Sequence, residues 1–260
     1  MNEPKVVYYT DPLKDEFSGT KITRVPLGKF TYVPKNIFWN AASFFVYWVI
    51  AFPLIWIFTR FLFVKVKGKK NRRALRGKGV FIYGNHTQIF DAFNGQIFAT
   101  PGKRGYIVCN QDTTSIKGIR WLVHLMGAIP TPETPAEAEG YKDCIKKRIH
   151  QRASITIFPE AHIWPYCTHI RPFGDESFSF PAELGAPVMA MCCTYRHRKV
   201  FKNRPPLVTL HLSKPIYPDM SLSIPERRKQ LRDYVYDFMV RIAAEEENVE
   251  YIRYVRNPNA

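Results

Sequence analysis

The stretch Val80 Phe81 Ile82 Tyr83 Gly84 Asn85 His86 Thr87 Gln88 Ile89 Phe90 Asp91 sets the reading of this chain. It opens with a short continuous apolar run, the form of a strand buried on both faces, and breaks at Gly84 into a polar loop. Runs of the same kind follow at Tyr106 to Cys109, Ile155 to Phe158, Val188 to Cys193 and Leu207 to Leu212. Between them, helical periodicity predicts helices near Phe90 to Phe98, Ile116 to Met126, Ala136 to Arg152 and Glu176 to Leu184. A last helix has Ser223 as cap, Pro225 in its first turn, Glu226 completing a capping box, and Leu231, Tyr234, Phe238 and Ile242 on one face. Alternation of this kind predicts an α/β fold, a mixed and largely parallel sheet flanked by helices. Thr131 Pro132 Glu133 Thr134 Pro135 reads as a loop, because proline is excluded from strand and helix interiors.

Upstream the text changes character. From Asn36 to Thr59 there is no charged residue, and Phe, Trp, Ile, Val and Ala dominate. As a helix this run reaches roughly 36 Å, enough to cross a hydrocarbon core of about 30 Å. Trp39, Tyr47, Trp48 and Trp56 favour the headgroup level, and Pro53 is a candidate break, so an embedded hairpin is the rival to a spanning helix. Directly after it, nine basic residues and no acid fall between Arg60 and Lys78, more than half of the net charge of +16 carried by the 260 residues. That layout predicts contact with an anionic membrane surface. Only Lys21, Arg24, Lys29 and Lys35 flank the other side, so positive-inside counting places the remainder on the cytoplasmic face. The apolar run also begins too far in for a conventional signal peptide, and the N-terminus is expected to be retained. The expected organisation is a polar N-terminal segment (1–35), a membrane-embedded helix or hairpin (36–64), a basic linker (65–78) and a catalytic domain (79–260).

No helix-turn-helix, ribonucleoprotein signature or zinc-finger spacing accompanies the charge, which argues against nucleic acid as the partner. Cys109, Cys144, Cys167, Cys192 and Cys193 form no C-x-x-C pair, so neither a zinc ribbon nor a disulfide framework is written here, and a reducing compartment is expected. His162 and His169 are spaced unlike any standard metal pair, and no metal is expected.

The chemistry begins at the end of the first strand. A His there and an Asp five residues later suit a loop turning into a helix, which lets the Asp91 carboxylate reach back to the His86 imidazole. Such a carboxylate fixes the ring tautomer and steadies the imidazolium, leaving the other nitrogen to take a proton from a hydroxyl. This is a base without its own serine, and the nucleophile is then the substrate's alcohol. The spacing alone is a weak signal, so its context decides.

That context is Phe158 Pro159 Glu160 at the end of one strand and Gly185 Ala186 Pro187 Val188 entering the next. Together with Asn85 His86 through Asp91, and in this order, these blocks resemble the PlsC-like lysophospholipid (glycerolipid) acyltransferase family, over roughly residues 80–188. The resemblance implies the glycerolipid acyltransferase fold. It also implies transfer, without metal or other cofactor, of an acyl group from acyl-CoA or acyl carrier protein to a lysolipid hydroxyl, by default that of lysophosphatidate. His86 is then the base, Asp91 its orienting partner, and Glu160 a contact in the acceptor pocket. His162, in the loop that follows Glu160, is a further candidate to shape that pocket, and Asn85, beside His86 in the first block, is a candidate acceptor-site residue. Where the family continues the Glu with Gly-Thr-Arg, this chain has Ala161 His162 Ile163, and the block Gly127 to Glu133 also lacks its arginine. Arg171 is the candidate replacement for holding the acceptor's phosphate, and Lys103 and Arg104 are candidates for the donor's phosphates. The alternative is a membrane-surface lipid-binding protein that keeps the fold without the catalysis or with a different specificity.

Overall fold

Alternate residues of the run Val80 to Tyr83 face two different apolar layers, which is why none of them is polar. The computed structural model describes residues 3–19, 30–115 and 120–258. In chain order its elements are β1 (Lys5–Tyr9), α1 (Ile37–Phe61), β2 (Lys65–Lys67), β3 (Val80–Gly84), α2 (91–99), β4 (Gly105–Cys109), α3 (Arg120–Leu125), β5 (Ala128–Pro130), α4 (Pro135–His150), β6 (Ser154–Ile157), α5 (Ser179–Leu184), β7 (Val188–Arg196), β8 (Leu207–Leu212), α6 (Ile224–Glu245) and β9 (Ile252–Arg256).

Seven strands form one sheet in the order β2-β8-β7-β3-β6-β4-β5, and β1 pairs with β9 separately. Strands β7, β3, β6, β4 and β5 are parallel, while β8 runs antiparallel to β7 and β2 follows β8. Phe81, Tyr83, Ile155, Val188 and Ala190 pack on one face against α4, α5 and α6 through Ile145, Ala182, Leu231 and Val235. Val80, Ile82, Met189, Met191 and Leu210 pack on the other, against Leu75 and Ala99. The C-terminal helix carries the expected capping box of Ser223 and Glu226. Pro135, read as loop, is the first residue of α4 with Thr134 as its N-cap, a position where the missing N–H has no intrahelical partner to lose. Of the helix expected over Ile116 to Met126, the described part is Arg120–Leu125, and residues 116–119 lie outside those described.

Two expected boundaries are corrected. Lys65–Lys67 is not linker: it pairs in register with Thr209 to His211 and forms the edge of the main sheet. The basic residues after it form a 3-10 turn, Lys69–Leu75, tied down by buried Leu75 and by Asn71, whose Nδ2 donates to the Leu212 carbonyl at 3.0 Å. The described residues 3–19 of the polar N-terminal segment are likewise part of the domain. β1 pairs with the C-terminal strand, and the backbone of Asp15 accepts a hydrogen bond from Trp164 Nε1 at 2.7 Å.

The apolar run is one continuous helix, not a hairpin. Pro53 lacks the N–H that a regular helix requires, and a π-helical turn over Val46–Ala51 directly precedes it, with the Phe52 N–H donating to the Tyr47 carbonyl. The helix is also not a core element, since most of its length is exposed and only Tyr47, Ala51 and Thr59 are buried. Those three mark the stripe that docks on the domain. Trp39 lies 5.1 Å from the His124 ring, Ser43 Oγ donates to the Leu125 carbonyl, Tyr47 Oη accepts from the Gly105 N–H, and Phe58 lies 5.2 Å from Phe90. From residue 39 to residue 58 these contacts span about 28 Å, so the helix lies along the domain for most of its length.

Burial holds two histidines neutral. It pushes His124 and His211 down from their ordinary value of 6.5 to about 4. Each is protonated in the unfolded chain before it is protonated in the fold, so the stability they contribute is full above about pH 6.5 and is lost as pH falls towards 4. Thermal melts at pH 7.5 and pH 5 are expected to show a lower midpoint at pH 5, and His124→Gln with His211→Gln to flatten that difference.

Candidate active site

The site sits beyond the carboxyl ends of the parallel strands, where open α/β sheets place their ligands. β3 ends at Gly84, where an added Cβ would meet Met191 Cε at 2.9 Å and Phe158 Cε1 at 3.1 Å. The glycine lets Met191 and Phe158 pack directly on the strand end. Asn85 then fixes the loop to the sheet: its Nδ2 donates to the Cys193 carbonyl at 3.1 Å and its Oδ1 accepts from the Cys193 N–H at 2.8 Å. Asn85 was expected in the acceptor site. Its amide is instead spent on strand β7.

His86 follows and faces a cavity of about 660 Å³ formed by the ends of β4, β5 and β6. Its ring stacks on Phe158, with centroids 4.1 Å apart and planes at 13°. His86 Nδ1 lies 3.7 Å from Asp91 Oδ2, inside ion-pair range and beyond hydrogen-bond length, and this buried nitrogen has no hydrogen-bond partner. Asp91 Oδ2 is occupied by the loop itself. It accepts from the Thr87 and Gln88 N–H groups, each at 2.7 Å, and from Thr87 Oγ1 at 3.2 Å, while Oδ1 accepts from Asn94 Nδ2 at 3.1 Å. The carboxylate thus shapes the turn that carries His86 as well as facing its ring. Opposite unit charges about 4 Å apart attract by about 4 kcal/mol at an effective dielectric near 20, so Asp91 can steady an imidazolium without a direct hydrogen bond.

A second carboxylate holds the loop from behind. Glu160 Oε2 accepts the His86 main-chain N–H at 3.2 Å and pairs with Arg171 Nη2 at 3.0 Å, while Oε1 accepts the Arg171 N–H at 3.0 Å. Burial pushes Glu160 up from the usual carboxylate range, and the Arg171 guanidinium and the two amides pull the other way. Arg171 is only 1% exposed, lies over the Trp164 ring at 4.8 Å and also donates to the His162 carbonyl. The expectation that Arg171 reaches an acceptor phosphate is therefore corrected. It is the internal counter-ion of Glu160, and neither residue lines the cavity. The backbone completes the arrangement, since the His86 carbonyl accepts from Trp164 N and the Thr87 carbonyl from Tyr166 N, each at 3.1 Å.

His162 does line the cavity, with Nδ1 3.7 Å from Glu16 Oε2. Ala161 beside it has φ +63°, a left-handed conformation that a side chain strains. Lys103 and Arg104 lie at the amino end of β4, away from His86. Lys103 Nζ donates to the Lys78 and Arg152 carbonyls, and Arg104 packs on Tyr47 at 3.7 Å. Neither reaches the cavity. Among the described lining residues there is no Lys or Arg, and Glu133 and Glu176 supply negative charge. Those two glutamates, and Phe158 as the floor under His86, were not legible as site residues. Glu133 stands in a proline-rich loop and Glu176 at the start of a helical pattern, where acids are ordinary. Among the described residues no group of His, Cys, Asp and Glu is arranged to hold a metal ion.

A histidine facing a substrate-sized cavity, backed by a carboxylate and lacking a nucleophile paired to it, has the geometry that general-base chemistry on a bound hydroxyl requires. An acyltransferase family model matches residues 63–194, just over half of the chain, and the chain belongs to that family. In structure it is similar to the 1-acyl-sn-glycerophosphate (LPA) acyltransferase PlsC from Thermotoga maritima, with a TM-score of 0.57 and 16% sequence identity, over 82% of this chain and 98% of that one. At that identity the likeness shows a shared fold. No curated protein matches the chain.

Removing Arg171 strands a buried carboxylate, so Arg171→Met is expected to cost about 3–5 kcal/mol in chemical denaturation. A cost below about 1 kcal/mol contradicts the pairing.

Proposed function

We propose that this acyltransferase moves a fatty acyl group from a thioester, carried by coenzyme A or acyl carrier protein, to a hydroxyl of a single-chain lysolipid. The observation that carries the reading is the His86 ring on the cavity wall with Asp91 3.7 Å behind it. His86 takes the proton of the acceptor hydroxyl as its oxygen attacks the thioester carbonyl. The tetrahedral intermediate then collapses, the C–S bond breaks, and the imidazolium returns the proton to the departing thiolate. Asp91 stabilises the imidazolium between those steps. Glu160, Arg171 and Asn85 position the loop and touch no substrate.

The lining chemistry supports an acceptor whose polar part is uncharged or cationic. A phosphate in this cavity finds no Lys or Arg among the described lining residues to take its oxygens, and Glu176 is close by. Lysophosphatidate, the default that the family resemblance suggested, is the less supported acceptor.

The lipid enters from a membrane surface. The outward face of α1 exposes Phe38, Phe44, Val49, Leu54, Ile57 and Phe61, and Ile89 and Phe90 of the His86 loop are exposed beside its end. Because the helix lies along the domain, an in-plane seat is supported over a crossing, and basic residues 60–78 meet the anionic headgroups. Positive-inside counting presupposes a crossing and loses its basis here. The cytoplasmic face is supported instead by five free cysteines, four of them buried.

The test is an acceptor screen with detergent-solubilised protein and labelled long-chain acyl-CoA. Transfer is expected to favour neutral or amine-bearing lysolipids over lysophosphatidate. His86→Ala is expected to lower it by about a hundredfold or more, and Asp91→Asn to slow it. Rates within a few-fold of wild type in His86→Ala would overturn the mechanism, and a strict preference for lysophosphatidate would overturn the acceptor class.

A further inference from the structure

Six cations, Lys69, Lys70, Arg72, Arg73, Arg76 and Lys103, converge on one cavity of about 340 Å³. It lies at the opposite end of the sheet from His86. β3 starts at Val80, just after the basic turn, and runs to Gly84 and the catalytic loop, so roughly 16 Å of strand separates the two. None of the six is in an ion pair with an acid among the described residues.

The cavity is built rather than incidental. Gly68, at φ +77° and with an added Cβ only 2.2 Å from the Leu212 carbonyl oxygen, starts the turn, and Leu75 pins it into the core. Arg72 Nη1 donates to the Phe98 carbonyl and its Nε to the Lys69 carbonyl, both at 3.0 Å, which aims the guanidinium across the gap. Lys103 Nζ is held from the other side by the Lys78 carbonyl at 2.7 Å and the Arg152 carbonyl at 3.2 Å. Lys69, Lys70, Arg73 and Arg76 have no side-chain hydrogen bond among the described residues and present their charges free.

Six like charges held around one hollow repel one another unless an anion sits among them. Forked guanidiniums and point-charge ammoniums together are the chemistry that takes phosphate oxygens. We propose that this cavity is a second, non-catalytic site for a phosphate-bearing anion. The apolar helix supplies a neighbouring source. Segment 95–105 is held on one side by Tyr47 Oη, through Gln96 and Gly105, and forms the cavity wall through Ala99, Thr100 and Lys103 on the other. A headgroup phosphate at the membrane surface and a soluble phosphate present the same oxygens, and the test separates them.

The full chain is measured in two arms: co-sedimentation with phosphatidylcholine vesicles with and without phosphatidylglycerol, and thermal shift with inorganic pyrophosphate. The variant is Lys70→Glu with Arg73→Glu and Arg76→Glu, three side chains with no structural bonds. A milder set changes the same three to Gln, and Lys142→Glu with Lys146→Glu and Lys147→Glu on exposed α4 is the equal-charge control. Phosphatidylglycerol is expected to strengthen wild-type binding, and the cavity variants to lose at least about tenfold of that gain while the control keeps most of it. Binding to pure phosphatidylcholine is expected to stay unchanged. Stabilisation by pyrophosphate that the cavity variants lose, without a vesicle effect, assigns the site to a soluble phosphate. The proposal is overturned if wild type responds to neither ligand, or if the α4 control loses as much as the cavity variants.

Discussion

The carboxylate of Glu160 is buried between two things that would otherwise not meet: the main chain of His86 and the guanidinium of Arg171. Both ions have left water, and each is tolerable only because the other is there. The cost of that burial fixes the loop from Glu160 to Arg171 against the loop from Asn85 to Asp91, and the backbone bonds from Trp164 and Tyr166 close the seam. The N-terminal segment then covers it, with Tyr9 and Phe17 against the Trp164 ring and Pro12 accepting from Arg171. The position of His86 is thus set by contacts among distant parts of the chain rather than by its own loop alone.

The same construction gives the domain two chemically opposite ends. At the carboxyl ends of the parallel strands lies a cavity with two histidines and two glutamates, and at the amino ends a hollow of six cations. The apolar helix connects them, running from Tyr47 beside the start of β4 to Phe58 beside Phe90 of the His86 loop. On the reading proposed above, this layout keeps charge attraction and chemistry apart: anions would gather at the six cations, while the cavity beside His86 has no positive charge among its described lining residues other than its histidines.

Much of the fold was legible because the parallel strands are buried on both faces and therefore read as unbroken apolar runs. Leu207–Leu212 was placed to the residue, and the other long strands to within one to three residues at their ends. Lys65–Lys67 was not legible. An edge strand needs little apolar content, and its alternating lysines read as linker. Pro53 misled in the opposite direction, since a π-helical turn absorbs the defect that a hairpin would otherwise relieve. In the site, His86 and Asp91 were singled out by their spacing together with the Phe158 Pro159 Glu160 and Gly185 to Val188 blocks, and the cavity-facing His162 by its place in the loop after Glu160. Arg171 did not reveal its role, because a sequence shows a cation and only the fold shows that its partner is Glu160.

Among the groups lining the cavity, a serine and a cysteine are able to carry an acyl chain themselves. Ser177 Oγ is buried on its wall without a hydrogen-bond partner, and Cys109 is there with its thiol pushed up to about 12 by burial. Neither is activated by a base in the way a catalytic nucleophile requires. The central claim is that the acceptor's hydroxyl attacks the thioester directly. The most direct test is mass spectrometry of the protein and lipid fractions after mixing with isotope-labelled long-chain acyl-CoA, with and without a lysolipid acceptor. Label found in the lipid product, with the protein unlabelled in both mixtures, is the predicted result. A labelled peptide containing Ser177 or Cys109 that loses its label when acceptor is added would contradict it.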